Sequence, residues 1–98
     1  MERVAVIARL NPEGRDRARE LIAQHQAGHY ISTDFDRQAI FLAEGEVVFF
    51  FEGPDAREKL RRIINDPVRS TFLSHWLPLF DGPIHAAPEA YYWERPPG

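Results

Sequence analysis

The chain has 98 residues, which is room for one domain and not for two separate cores. Hydrophobic residues make up 44% and charged residues 28%, a composition too apolar for a disordered chain. The absence of cysteine excludes disulfides, thiolate nucleophiles and Cys-ligated metals, so a core this small favours an oligomer. The net charge of −3 provides no positive field for nucleic acid, and no apolar run approaches the ~20 residues of a membrane span. We therefore expect a cytoplasmic protein without nucleic-acid or membrane partners.

The first third of the chain predicts a strand and then a helix. Arg3–Leu10 is short and rich in β-branched residues, and Asn11-Pro12 follows it as a helix cap with proline in the first turn. From there to about Gln26 one set of positions recurs at helical spacing and predicts a buried stripe. These positions are Ala18, Leu21, Ile22 and His25. Gly28 then ends the predicted helix, and residues 29–35 are predicted as a loop.

The middle of the chain predicts a hairpin followed by a second helix. The runs Asp36–Glu44 and Glu46–Glu52 are strand-like and only Gly45 separates them, which is typical of a tight antiparallel hairpin. Pro54-Asp55 then begins a helix that ends near Asn65.

The last third predicts a short helix and a final strand. Asp66-Pro67 repeats the cap-plus-proline signature, and apolar residues keep helical spacing until Pro78. Within residues 84–94 the Tyr91–Trp93 half is the predicted strand, because Pro88 restricts regular pairing to one side.

The order of elements predicts an α+β, ferredoxin-like βαββαβ domain over residues 1–98, with an extra short helix before the last strand. In the third strand Val47, Phe49 and Phe51 point one way while Val48 and Phe50 point the other, so both faces are apolar. A sheet with helices on one side should be polar on the other unless something covers it. We therefore predict a homodimer that pairs sheet against sheet.

Four segments resemble the SchA/CurD-like domain, a family of the dimeric α+β barrel superfamily found with aromatic polyketide pathways of the spore-pigment type. They are VAVIARLNPEGRDRARELI, FDRQAIFLAEGEVVFFFEGPDA, DPVRSTFLSHWLPLFDGP and EAYYWER, and together they cover almost the whole chain. The resemblance implies the fold, the dimer and a link to polyphenolic polyketides. It implies neither a reaction nor catalytic residues.

The histidines are the first candidates for chemistry. His25 and His29 lie four apart, as two ligands on one helix face would, but Gly28 intervenes and no third ligand is identifiable. We therefore predict no metal and no cofactor. His75 lies beside Trp76 on the third predicted helix, where an imidazole could act as acid or base near neutral pH. Its alternative role is structural, as a half-buried side chain bonded to a carbonyl.

A second candidate group lies at the start of the second strand. Asp36 is interpreted as a proton acceptor and Arg37 as a cation that holds an anionic enolate. The alternative is a strand-entry turn in which Asp caps backbone N–H groups and Arg37 forms an ion pair. Arg9, in an apolar strand, needs either a carboxylate such as Glu52 or Glu94 or a wet cavity. The predicted ligand-binding residues are Phe72, Trp76, Tyr30, Tyr91 and Arg9.

These residues predict a function without nucleotide or metal. No Gly-rich phosphate loop or serine nucleophile elbow occurs. We predict a small dimer that binds, and could cyclise or modify, an aromatic polyketide-type molecule in an apolar pocket between sheet and helices. Two alternatives stay open: a non-catalytic accessory or ligand-binding dimer, and a cofactor-free oxygenase acting on a phenol or quinol.

Overall fold

The computed structural model describes residues 1–26, 34–66, 70 and 72–98. Along these residues a first strand, a helix, a hairpin of two strands and a second helix follow one another, and two short 3₁₀ turns precede the last strand. The elements are β1 (Glu2–Arg9), α1 (Arg15–Gln26), β2 (Arg37–Leu42), β3 (Glu46–Gly53), α2 (Ala56–Asn65), 3₁₀ turns at Leu73–His75 and Leu77–Leu79, and β4 (His85–Pro88). None of the helices in these ranges is long and apolar enough to cross a membrane.

The strands form one four-stranded sheet in the order β2-β3-β1-β4, and every neighbouring pair is antiparallel. The central pair is β1 and β3, with Val6 opposite Phe49 and Ala5 opposite Phe50. This order, with a helix after β1 and another after β3, confirms the ferredoxin-like α+β fold and the short helical segment before the last strand.

One face of the sheet, which we call the helix face, carries the core. Val6 and Phe49 lie there and are almost fully buried, and Leu21 of α1 and Leu60 of α2 pack onto the same cluster. Because successive side chains of a strand point to opposite faces, the buried positions of β1 and β3 alternate with half-buried ones.

The other face, which we call the open face, is apolar over its middle. It presents Ala5 and Ile7 from β1, Val48 and Phe50 from β3, and Phe41 from β2. Most of these residues are half-buried, but Phe41 is 59% exposed. The apolar second face expected from the sequence is therefore present, and the helices do not cover it.

The last strand differs from the prediction. It is His85–Pro88 and not Tyr91–Trp93. The reason is the register with β1, in which Pro88 already lies opposite Val4 while β1 begins only at Glu2. Residues 91–93 therefore lie beyond the end of their partner strand and carry no regular pairing.

The predicted third helix is also different, because its described part consists of two 3₁₀ turns. The Ser70 hydroxyl accepts hydrogen bonds from the N–H groups of Phe72 and Leu73, at 3.2 and 3.1 Å. Pro78 lies inside the second turn, where an α-helix would need its missing N–H. Residues 67–69, where we predicted the start of this helix, lie outside the described ranges.

Candidate functional site

A cluster of aromatic rings fills the core between β3 and the 3₁₀ segment. Phe49 meets Phe72 and Trp76 edge to face, each at 5.0 Å between ring centroids. Phe51 meets Phe72 in the same way at 5.6 Å and is packed on its other side by Phe35 at 4.6 Å. Edge-to-face pairs of this kind stabilise a core beyond the area they bury.

Two predicted ligand-binding residues are part of this cluster. Trp76 is completely buried and Phe72 is 6% exposed, so both pack in the core and neither lines the clefts described below. The indole N–H of Trp76 has no hydrogen-bond partner among the described residues. Trp76 is therefore a buried member of the aromatic cluster, where its fluorescence can report on its surroundings.

An open cleft of about 390 Å³ lies beside the aromatic cluster, between α1 and β2, and we call it the α1/β2 cleft. The buried stripe of α1 brings Ile22 and His25 to one wall, and strand alternation brings Gln38 and Ile40 of β2 to the other. The cleft also includes Gln26, the last residue of α1. Tyr30, a predicted ligand-binding residue, follows this end of the helix but lies outside the described ranges.

His25 is the titratable side chain of this cleft. Its ring lies edge-on to Phe72, with the centroids 5.2 Å apart. Burial lowers the pKa of His25 below its ordinary value, and the charge of His75 lowers that pKa further. The imidazole is therefore mostly neutral at neutral pH, and a neutral imidazole can accept a proton.

His75, the predicted acid–base residue, is half-buried at the end of the first 3₁₀ turn. It lies near enough to His25 for its charge to act on that ring. His75 therefore lies near His25, which lines the α1/β2 cleft. The pair weighed for a metal, His25 with His29, cannot be compared with the structure because His29 lies outside the described ranges.

The structure does not bring Asp36 and Arg37 to the histidines. Both side chains are exposed at the start of β2. The Asp36 N–H donates to the carbonyl of Glu52 at 2.8 Å, and the guanidinium of Arg37 bonds the Glu52 carboxylate at 3.1 Å. Because Arg37 lies opposite Glu52 on the open face, it is separated from the α1/β2 cleft by the thickness of the sheet.

Arg37 belongs to a row of alternating charges that crosses the open face at one end, and we call it the charge row. It consists of Arg37, Glu52, Arg3 and Glu89, one residue from each strand or its extension. Arg3 bonds Glu89 at 2.5 Å and Glu52 at 3.3 Å, and the bond with Glu89 raises the pKa of Arg3. Glu52, the buried member, is therefore held between two guanidinium groups.

Arg9 and Tyr91 also lie away from the cleft. Arg9 is exposed at the end of β1 opposite Glu46, so its neighbour is neither Glu52 nor Glu94. Tyr91 is 82% exposed and lines an open groove of about 560 Å³ on the open face.

A second cleft on the helix face, between α2 and β4, is larger, at about 530 Å³. Its floor includes Leu60 and Ile84, and its rim carries charged residues. Two of them, Arg61 and Glu58, are already bonded to each other within α2 at 2.7 Å. We therefore place the candidate site in the α1/β2 cleft, which combines apolar walls with a neutral histidine.

The sequence carried a signal for His25, although His25 was not among the predicted site residues. His25 follows Ala18, Leu21 and Ile22 in the apolar stripe of α1. A histidine at the end of a buried stripe faces the core side of its helix. The structure confirms that position.

Comparison with known proteins shows similarity at the level of the fold. No protein-family model matches the chain, and no curated protein matches it. The solved structure described as "Structure of Rv0793 from Mycobacterium tuberculosis" is similar, with a TM-score of 0.52 and 22% sequence identity over 94% of this chain and 97% of that chain. This similarity supports the fold. The resemblance to the SchA/CurD-like domain is not confirmed.

Proposed function

We propose that the protein binds a planar, polyhydroxylated aromatic molecule of polyketide type in the α1/β2 cleft. The observation that supports this proposal is the neutral His25 on an apolar wall, edge-on to the buried aromatic cluster. The volume of about 390 Å³ lies within the range of roughly 300–1,000 Å³ that small-molecule sites occupy. Ile22 and Ile40 would bury the rings, while His25 and Gln38 would bond the oxygens.

The chemistry that fits this cleft is proton transfer. A neutral His25 would take a proton from the carbon between two ketones of a poly-β-ketone and leave an enolate. The enolate carbon would then form a bond to a second carbonyl carbon of the same molecule, whose oxygen would recover the proton from the imidazolium. No oxidant is consumed, and the products are an aldol and the restored imidazole.

The non-catalytic alternative has an observation of its own. Arg37, the cation predicted to hold the enolate, lies on the opposite face of the sheet. Without that cation, a cleft of this kind can bind and shield a reactive phenol without turning it over. Turnover therefore decides between the two forms of the proposal.

Alizarin, a dihydroxyanthraquinone, is a suitable probe for binding. In a Trp93→Phe variant, fluorescence reports the buried Trp76. We expect saturable quenching with a micromolar Kd, about −8 kcal/mol, and far weaker binding of phenol, which buries less area. Ile22→Gln should weaken binding about tenfold or more, whereas Ala23→Gln on the exposed side of α1 should not. A panel of such phenols that leaves Trp76 fluorescence and the melting temperature unchanged would contradict the proposal.

A His25→Gln variant separates binding from catalysis. If the imidazole transfers a proton, the variant should lose turnover of a poly-β-ketone while it retains alizarin binding within a few fold. An unmodified chain that binds alizarin but turns over neither a poly-β-ketone nor a quinol supports the accessory role. Oxygen uptake with a quinol would instead support the oxygenase alternative.

We also propose that the protein is a homodimer joined through the open face. The support is the apolar middle of that face, where Phe50 is half-buried and Phe41 is exposed. Sedimentation should give a dimer at micromolar concentration, with a melting temperature that rises with concentration. Phe50→Asp should yield monomer or aggregate, because the carboxylate would be buried without a partner, and Ala23→Asp should not. A stable monomer at micromolar concentration would contradict the dimer.

A further inference from the structure

The chain continues beyond β4 as a segment without regular secondary structure that crosses one end of the open face, and we call residues 89–95 the arm. The N–H of Glu89 donates to the carbonyl of Arg3 at 3.3 Å. Tyr92 then stacks under the Arg3 guanidinium, 3.4 Å from its ring centroid. Glu94 reaches a hollow that Asp36 and Arg37 also line. The arm therefore runs from the β4 side of the sheet to the β2 side, over the charge row.

The arm exposes aromatic surface to an unusual degree. Tyr91 is 82% exposed and Trp93 is 60% exposed, whereas the aromatic rings of the core are buried. Tyr91 and Tyr92 also form a wall of the groove whose floor includes Ala5 and Phe50. The exposed ring of Tyr91 is thus continuous with the apolar middle of the open face, and Trp93 follows two residues later in the arm. Large aromatic side chains that converge on an apolar surface are typical anchors of protein interfaces.

We propose that the arm docks on the open face of a second copy of this chain, with Tyr91 and Trp93 as its anchors. This inference rests on the dimer proposed above. It adds that each subunit extends its arm to the other, so that the groove beside each arm is closed by the partner.

The charges of the open face favour a second copy as the occupant. The face carries Arg3, Arg9 and Arg37 together with Glu46, Glu52 and Glu89, so its formal charges cancel. The whole chain has a net charge of −3, which therefore lies on other surfaces. Two identical copies repel each other least where they meet with no net charge.

The beginning of the arm, from Glu89 to Tyr92, is already held in place in the single chain. Arg3 is held by Glu52 and Glu89, and it stacks on Tyr92. A segment that is ordered in the single chain lowers the entropy lost when the anchors bind. Tyr92 is accordingly the least exposed of the three aromatic residues, and Arg3 is a positioning residue for the arm.

The test uses the full-length chain and measures the dimer dissociation constant by sedimentation over a dilution series. The double variant Tyr91→Ala/Trp93→Ala should raise this constant about tenfold or more, because aromatic anchors dominate interface energetics. Pro97→Ala, which lies beyond the arm in the same tail, should leave it unchanged. Because both anchors are exposed, the double variant should retain its circular dichroism spectrum and urea midpoint, measured at a concentration where both proteins are monomeric.

A cross-linking experiment locates the arm directly. A photoreactive benzoylphenylalanine replaces Tyr91, and the protein is mixed with an isotopically labelled copy. We expect cross-links between labelled and unlabelled chains that map near Phe41 and Phe50. The docking of the arm would be contradicted if the chain is a dimer whose dissociation constant does not change in the double variant. It would also be contradicted if all cross-links lie within one chain. Neither result would contradict the dimer. A full-length monomer would overturn both.

Discussion

Phe49 and Phe50 are neighbours in β3 and belong to two different environments. Phe49 is completely buried on the helix face, where Phe72 and Trp76 meet it edge to face. Phe50 is half-buried on the open face, opposite Ala5 and beside an open groove. The same residue type in the same strand is thus part of the core on one side of the sheet and part of an uncovered apolar face on the other.

This contrast separates the face that stabilises the fold of one chain, the helix face, from the face that is still uncovered, the open face. The helix face has buried its rings within one chain, so it gains nothing more from association. The open face still exposes apolar area at Phe41, and water must be removed from it to gain the corresponding free energy. The stability of the monomer should therefore depend on the helix face. Any change of stability with protein concentration should come from the open face.

The largest expected effect comes from shortening the two phenylalanines in turn. Phe49→Ala should lower the free energy of unfolding by about 3–5 kcal/mol at any protein concentration, because it leaves a cavity among packed rings. Phe50→Ala should have a much smaller effect at low concentration and a larger effect at high concentration, where the dimer forms. Urea denaturation at two protein concentrations measures both. Equal, concentration-independent losses would show that the two faces are not different in this respect.

A smaller effect is expected from the charge row. Glu52→Gln removes the buried charge that both Arg3 and Arg37 bond, and it should lower the free energy of unfolding by about 1–3 kcal/mol. Glu46→Gln is the matched control, since that carboxylate is exposed at the other end of the face. If both variants have the same urea midpoint, the charge row does not stabilise the sheet.

The next prediction concerns the dependence of stability on pH, which His25 on the helix face should influence. Its pKa is lower in the folded chain than in the unfolded chain, so below the ordinary histidine pKa of about 6.5 the unfolded state binds more protons. The free energy of unfolding should therefore be highest above this pH and fall as the pH decreases toward the folded pKa. His25→Gln should flatten this part of the curve of melting temperature against pH, whereas Ala23→Gln on the exposed side of the same helix should not. A curve unchanged by His25→Gln would contradict the burial of this imidazole.

The smallest effect is expected from an exposed ion pair of α2. Glu58 bonds Arg61, and this hydrogen bond lowers the pKa of Glu58. Because the pair is open to water, Arg61→Gln should leave the urea midpoint within experimental error in 0.15 M and in roughly 1 M salt. A large or salt-sensitive change would mean that α2 is held by more than its apolar stripe.

The sequence was sufficient for the fold where its periodicity was strong. Alternation in β3 and the stripe of α1 predicted both elements, and the stripe also predicted the buried side of α1. Because both faces of β3 are apolar, its alternation did not predict which face the helices cover. It was insufficient near the end of the chain, because Tyr91–Trp93 has strand propensity while the register of β1 leaves it no partner. Register is a long-range property that local composition does not contain.

The candidate site was harder to predict for the same reason. His75 and Trp76 are adjacent in sequence, yet Trp76 is completely buried and His75 is only half-buried. Asp36 and Arg37 were grouped with His75 by chemical type, and the sheet separates Arg37 from the α1/β2 cleft. His25 was assigned to the buried stripe of α1, but its meeting with Phe72 and β2 depends on the tertiary packing of three elements.

The outer strand β4 has a consequence for how far assembly can go. It has four residues, ends in Pro88 and pairs with β1. A proline lacks the N–H that an added strand would need, and so short an edge offers few hydrogen bonds to a newcomer. Face-to-face association of two sheets is complete once both open faces are buried. Edge-to-edge pairing of strands can instead add further copies without limit. The short edge strand β4 therefore disfavours edge-to-edge polymerisation of the chain.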